Sequence, residues 1–315
     1  MRLILIAIVS ILSFSQLKAQ SPTDVLPKTE VDSLIFNYSK VLKETYFNKT
    51  LIKEISSTLQ KKLKAGDFYN KTQLTDRLSL LLREITKDNH FYIGKTEPQS
   101  VTNIEEPAAP ETEFKNGGII ETKIINQKIG YIKWTNFIAD DEAFEKTVAA
   151  LQFVKGSKYL IFDLSECPGG DGRIGSFINS HLFEENDYQN LLQKKCAGET
   201  EWHQSEVPYN YSNGPKFYDI PVFVITSKHT ASAAEYFALI IKEMKRGIVL
   251  GETTAGAGNP SIMVPFGKYF AQIPICEIET REGKSIEGKG VTPNIKLQSV
   301  DLISETVKYI EKNYQ

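Results

Sequence analysis

Ser232 opens the segment Ser232-Ala-Ala-Glu235, where the apolar run IPVFVIT gives way, through SKHTA, to a helix-like pattern. Two readings fit a serine there. It matches the S-x-x-E capping box, in which the hydroxyl and the glutamate satisfy two orphan helix donors. A hydroxyl at a strand-to-helix turn can also attack a carbonyl, if a base takes its proton and donors stabilise the oxyanion. A second turn, DLSECPGGDGRIGSF, carries Pro168-Gly169-Gly170. Backbone without side chains can bring N–H groups against a cavity, and the helix start that follows adds positive potential. Alone it reads first as a plain glycine turn, and the functional reading needs the second turn beside it. Gly169 or Gly170, together with the Ala233 amide, would supply the two donors of an oxyanion hole facing Ser232.

A neutral imidazole is a natural base for a serine hydroxyl near neutral pH. The chain has four histidines, His90, His181, His203 and His229. His229 precedes the serine turn and is expected to point along the strand end, His181 falls late in a helix pattern, and His203 lies in an irregular segment. His90 follows the third helix-like stretch in Asp88-Asn89-His90. Cys167 is a weaker candidate nucleophile than Ser232, because it would need a base of its own.

Two continuous apolar runs, KYLIFDL and IPVFVIT, position the two turns. Each precedes a Gly- or Ser-rich turn and an amphipathic helix, the pattern of parallel strands buried on both faces by crossover helices. Strand-like GIIETKII, IGYIKW, RGIVLGE and KYFAQIPICEIE and the final helical DLISETVKYIEKNY complete an α/β layout, whose strand ends are where ligands bind. Before it, LIFNYSKVLKETYF, KTLIKEISSTLQKKLKAG and TQLTDRLSLLLREIT repeat apolar residues at helical spacing. The expected organisation is a signal peptide over 1–20, a helical subdomain over 21–94 ending in the candidate His90, a Pro-, Glu- and Thr-rich linker over 95–118, and an α/β catalytic domain over 119–315.

MRLILIAIVSILSFSQLKAQ has an early arginine, a short apolar run and Ala19 before Gln20, as a secretory signal does. The run is too short and interrupted for a membrane span, and the segment has no cysteine for a lipid anchor. The mature protein is expected to be exported, periplasmic or secreted, with no stable membrane insertion. With 37 basic and 39 acidic residues in 315, there is no excess charge for nucleic acid. Cys167, Cys196 and Cys276 permit one disulfide and one free thiol, and spacing leaves the pair open. No Cys-x-x-Cys or His-x-x-x-His spacing points to structural zinc.

DLSECPGGDG, HTASAAE, GIVLGETTAGAG and IEGKGVTPNIKL, in this order and spacing, resemble the serine peptidase family of the tail-specific (C-terminal-processing) proteases, the tricorn core protease and the repeats of interphotoreceptor retinoid-binding protein. The resemblance covers roughly residues 85–300. It implies a ClpP/crotonase-like core, a peptide or protein substrate, no cofactor or metal, Ser232 as nucleophile, and Gly169 or Gly170 with Ala233 as oxyanion donors. The tail-specific branch has a lysine base where this chain has Ala257, and its PDZ module finds no room between His90 and Ile119. The tricorn-like branch uses a histidine in an Asp-x-His element, which assigns His90 as base. Its orienting glutamate corresponds to Glu287, and Asn89 stands where a relaying serine is found. An asparagine can accept from the imidazole and donate to a carboxylate. The retinoid-binding relatives supply the other expectation, a non-catalytic protein binding an apolar ligand or peptide.

Overall fold

The computed structural model describes residues 25–96, 115–205, 213–297 and 300–314. The signal segment and most of the linker lie outside them. The described elements start with α1 (Lys28–Thr45), α2 (Lys49–Ala65), α3 (Leu74–Thr86) and β1 (Tyr92–Lys95). It continues through β2 (Ile119–Ile125), β3 (Ile129–Trp134), α4 (Asp141–Phe153), β4 (Tyr159–Asp163) and α5 (Gly172–Leu182). Then come β5 (Leu192–Cys196), β6 (His203–Gln204), β7 (Val222–Thr226), α6 (Ala233–Glu243) and β8 (Gly247–Gly251). The last elements are β9 (Ser261–Phe266), β10 (Tyr269–Pro274), β11 (Cys276–Thr280), β12 (Ile295–Lys296) and α7 (Leu302–Asn313). β11, β5 and β6 form a small three-stranded sheet in that order.

The chain divides into two units. The first comprises Met1–Glu105, Lys194–His203 and Asn259–Ile278. Its helices follow the apolar spacing of the sequence: Leu34, Tyr38 and Leu42 of α1, Ile55 and Leu59 of α2, and Leu78 and Leu82 of α3 share one core. Asn48 caps α2 by accepting from Leu51 N–H at 3.1 Å, and Gly66 ends it in the left-handed conformation. Three amphipathic helices need a further apolar surface. The antiparallel sheet β1-β10-β9 supplies it, contributing Ile93, Ala271 and Ile273 to the core. The unit is therefore helical with a sheet of its own, and β9 and β10 come from the stretch expected in the α/β domain. Cys196 and Cys276 form a disulfide in this unit, which resolves the pairing left open by the sequence.

The second unit comprises Glu106–Gln193, Gln204–Gly258 and Glu279–Gln315. Its sheet runs β12-β8-β7-β4-β3-β2, parallel except for the antiparallel β2–β3 pair. All five residues of β7 are buried, as a strand covered on both faces requires. The side-chain alternation of a strand divides the residues between two cores. Ile132, Trp134, Leu160, Phe162, Val222 and Val224 pack with α4, α5 and α6. Ile129, Tyr131, Ile161, Phe223 and Ile225 pack with Val307 and Ile310 of α7. Each such apolar side chain, fully buried, contributes about 1.5–3 kcal/mol. This double-sided packing holds the C-terminal ends of β4 and β7 level, and both candidate turns leave from those ends.

Candidate active site

The two turns are tied together in the α/β unit. Thr230 Oγ1 donates to the Leu164 carbonyl at 2.7 Å, the Ala231 amide to the Cys167 carbonyl at 3.1 Å, and Ser227 Oγ to the Ser165 carbonyl. The turn after β4 is thereby fixed against the turn after β7.

The glycines do different work. Gly169 has φ +98, and a Cβ there would lie 2.6 Å from the Ala231 carbonyl oxygen, 2.8 Å from Ser232 Cβ and 3.0 Å from Ala233 N. Only glycine lets this backbone lie against the serine. Gly170 has φ +130, and its absent Cβ faces the Phe137 carbonyl oxygen at 2.1 Å. There the chain is bonded to Phe137: Phe137 N–H donates to Gly169 O at 2.7 Å and Asp171 N–H to Phe137 O at 2.8 Å. Gly169 is thus the glycine beside Ser232, and Gly170 anchors the turn. The amides of Gly169, Gly170 and Ala233 donate to no other described residue.

Ser232 is the N-cap of α6 and is half-buried, with φ 52 and ψ −126. A non-glycine residue rarely adopts positive φ, and such strain persists only where its surroundings impose it. Glu235 is the principal restraint. Its carboxylate is fully buried; Oε2 accepts from Ser232 N–H at 2.9 Å and Ala257 N–H at 2.8 Å, and Oε1 from Gly256 N–H at 2.8 Å and from Thr254 Oγ1. The glutamate of the capping box therefore also holds the loop after β8. Ala257, where the tail-specific pattern has lysine, is a backbone donor in that arrangement.

Glu287 is held at the far end of the same loop, its Oε2 accepting from Gly258 N–H at 2.7 Å, while the Gly258 carbonyl accepts from Tyr236 OH at 2.7 Å.

His90 lies in the first unit, in the turn between α3 and β1. Asp88 Oδ1 is 2.9 Å from both the His90 amide nitrogen and ring Nδ1. Its Oδ2 accepts from Asn259 Nδ2 at 2.9 Å. Asp88 is buried and Asn89 is exposed. The ring partner at Nδ1 is therefore Asp88 and not Asn89, the partner expected from the sequence. The spacing D-N-H puts two hydrogen-bonding side chains before the histidine, and only the fold of the turn decides which one faces inward.

The other candidates have different surroundings. His181 is fully buried, and burial pushes its pKa down to about 4, against the opposing effect of a 2.7 Å hydrogen bond with the Pro215 carbonyl. His229 and His203 are exposed. Burial raises the Cys167 thiol to about 12, which leaves it protonated and unreactive. Two lysines could stand in for the one replaced by Ala257: Lys242 is ten residues beyond Ser232 along α6, about 15 Å at 1.5 Å per residue, and donates to the Thr292 carbonyl. Lys245 follows the helix and is exposed.

A parallel sheet with a strained serine at one strand-to-helix turn and a bare glycine turn beside it defines an α/β protein built like the serine peptidases. Residues 128–297, more than half of the chain, match peptidase family S41, and the chain belongs to that family. It is 29% identical over 186 residues to the carboxy-terminal processing protease CtpB of Bacillus subtilis, a match covering 58% of this chain and 37% of that protein. The chain spans 35–41% of the length of this and the next three curated relatives. Among solved structures, the photosystem II D1 C-terminal processing protease superposes with a TM-score of 0.55 at 15% identity, covering 87% of this chain and 94% of that one. The tricorn protease superposes with a TM-score of 0.59 at 12% identity, covering 90% of this chain and 36% of that one. These likenesses establish the fold, an α/β core with an N-terminal helical region.

Proposed function

We propose that the protein is an exported serine peptidase of the tricorn-like kind, without a lysine base. Ser232 Oγ attacks the scissile carbonyl carbon while His90 takes the hydroxyl proton. The Gly169 and Ala233 amides receive the charge on the carbonyl oxygen. Collapse of the tetrahedral intermediate breaks the C–N bond and His90 returns the proton to the leaving amine; water, deprotonated by His90, then attacks the acyl carbon, breaks the ester bond to Ser232 Oγ and releases the acid as Oγ regains its proton. Asp88 is the orienting group at Nδ1, which leaves Nε2 to exchange protons. Glu287, fixed on the Gly258 amide, is the outer carboxylate assigned to the relay.

The observation that carries this reading is the Ser232 backbone, held at φ 52 against Gly169. A helix cap alone has no need of such strain, whereas a nucleophile presented to two free amides does. Export is supported by the N-terminal MRLILIAIVSILSFSQLKAQ and by the Cys196–Cys276 disulfide, a bond suited to an oxidising compartment. No helix among the described residues is long and apolar enough to cross a membrane. The substrate is a peptide or protein.

Fluorophosphonate labelling followed by peptide mass spectrometry tests the assignment. The expected adduct is on Ser232 and is absent from Ser232→Ala. No adduct on Ser232 in folded wild-type protein would remove the peptidase reading and leave the ligand-binding one.

A further inference from the structure

β2 is an edge strand: among the described residues its only ladder partner is β3. Natural edge strands are usually blunted against further pairing, but this one presents an unusual sequence, Ile119-Ile-Glu-Thr-Lys-Ile-Ile125. Read outward from Thr122, it is symmetric in its apolar residues and opposite in its charges.

Cross-strand pairing with β3 fixes the two faces. Glu121 and Lys123 stand opposite Lys133 and Tyr131, and Tyr131 belongs to the α7 side of the sheet. Lys123 Nζ sits 4.6 Å from the Tyr131 ring centroid and 2.9 Å from Glu121 Oε1. Thr122 stands opposite Ile132, which belongs to the α4 side. Ile120 lies at the irregularity between Ile119 and Glu121 and is 57% exposed. It lines a groove of about 310 Å³ with Ala149, Ala150 and Phe153 of α4, and Phe153 is itself 58% exposed. Ile124 is also exposed.

We propose that β2 is the contact strand of a homodimer, pairing antiparallel with β2 of a second copy across a two-fold axis through Thr122, perpendicular to the sheet. The axis keeps each sheet face continuous with the same face of the partner chain. In this register Glu121 of each copy stands directly opposite Lys123 of the other, and Ile120 opposite Ile124 beside the Phe153 groove. The register is selected by charge. Moving the axis to residue 121 sets glutamate against glutamate, and moving it to 123 sets lysine against lysine; both are destabilising, whereas opposite charges stabilise a cross-strand pair. A two-fold contact is self-complementary by construction, and of these three registers the one centred on Thr122 alone pairs every charge of the strand with its opposite. A second copy therefore fits the edge better than an unrelated peptide.

The test is sedimentation equilibrium across a concentration series on the full mature protein and on charge variants of these exposed side chains. Wild type is expected to dimerise reversibly. Glu121→Lys places lysine opposite lysine twice, and Lys123→Glu places glutamate opposite glutamate twice, so each is expected to weaken dimerisation about tenfold or more. The double variant E121K/K123E restores the opposite pairs and is expected to dimerise as wild type does. Mixing the two single variants should give a heterodimer. Circular dichroism establishes that each variant is folded. A wild-type protein that stays monomeric throughout the series, as it would with another segment covering the edge, overturns the proposal. So does a dimer whose affinity is the same in all four proteins.

Discussion

Glu235 Oε2 accepts the Ser232 amide at 2.9 Å and the Ala257 amide at 2.8 Å, so one buried carboxylate fixes both the serine and the loop after β8. Its other oxygen accepts from Gly256 N–H and Thr254 Oγ1. Glu235→Gln must turn an NH2 group toward one of these donor pairs, whichever way the amide is placed. A buried donor left without an acceptor costs about 1–3 kcal/mol. The expected outcome is a stability loss of about 2 kcal/mol or more in urea unfolding, together with slower reaction of Ser232 with fluorophosphonate. An unchanged midpoint and labelling rate would contradict this role.

The strain at Ser232 predicts an inversion of stabilities. Ser232→Ala keeps a Cβ at φ 52, whereas Ser232→Gly does not. Strained backbone of this kind costs on the order of 1–3 kcal/mol, and the extra unfolded-state entropy of glycine offsets about 0.5–1 of it. Both variants should be inactive, and Ser232→Gly should be the more stable by about 1 kcal/mol in urea unfolding. If the alanine variant is the more stable, the serine is not held under strain.

Gly169 should be the sensitive glycine for catalysis. Gly169→Ala drives a methyl toward the Ala231 carbonyl oxygen and Ser232 Cβ, displacing the donor beside the nucleophile. Loss of an oxyanion donor lowers turnover on the order of a hundredfold or more. Gly170→Val should instead impair folding, because its Cβ meets the Phe137 carbonyl oxygen at 2.1 Å. Peptidase assays on folded protein distinguish the two. Full turnover by Gly169→Ala would remove Gly169 from the site.

Much of this arrangement was legible in the sequence. KYLIFDL and IPVFVIT announced parallel strands because a strand covered on both faces needs unbroken apolar residues, and each turn that follows them is marked by its glycines or serine. Asp88 was harder to see, since the D-N-H spacing does not say which side chain turns inward. The second task of Glu235 was hidden for another reason: its capping partner is three residues away, but its other partners are 19–22 residues further on. Pairing of Tyr92 with Gln272, which gives the helical unit its sheet, joins residues too far apart for any periodicity to reveal.

His181 makes the fold acid-sensitive. Its folded pKa of about 4 lies below the ordinary value of about 6.5. The unfolded chain therefore binds a proton that the folded chain refuses. The stability associated with the neutral ring is fully present above about 6.5 and is lost as pH falls toward 4, by on the order of 2–3 kcal/mol. Urea midpoints measured between pH 7 and pH 5 should fall for wild type and fall less for His181→Gln. Parallel slopes for the two proteins would mean that His181 is not the sensor.

The rate of Ser232 phosphonylation, followed against pH in wild type, His90→Gln and Asp88→Asn, tests the central claim most directly. With His90 as base, the wild-type rate should fall in acid as the imidazole takes up a proton, and His90→Gln should be slower by roughly a hundredfold or more, with that pH dependence gone. Asp88→Asn should be slowed while keeping a dependence on the ring. Labelling of His90→Gln at the wild-type rate with the wild-type pH profile would contradict the account, because the proton of Ser232 would then be leaving to another group.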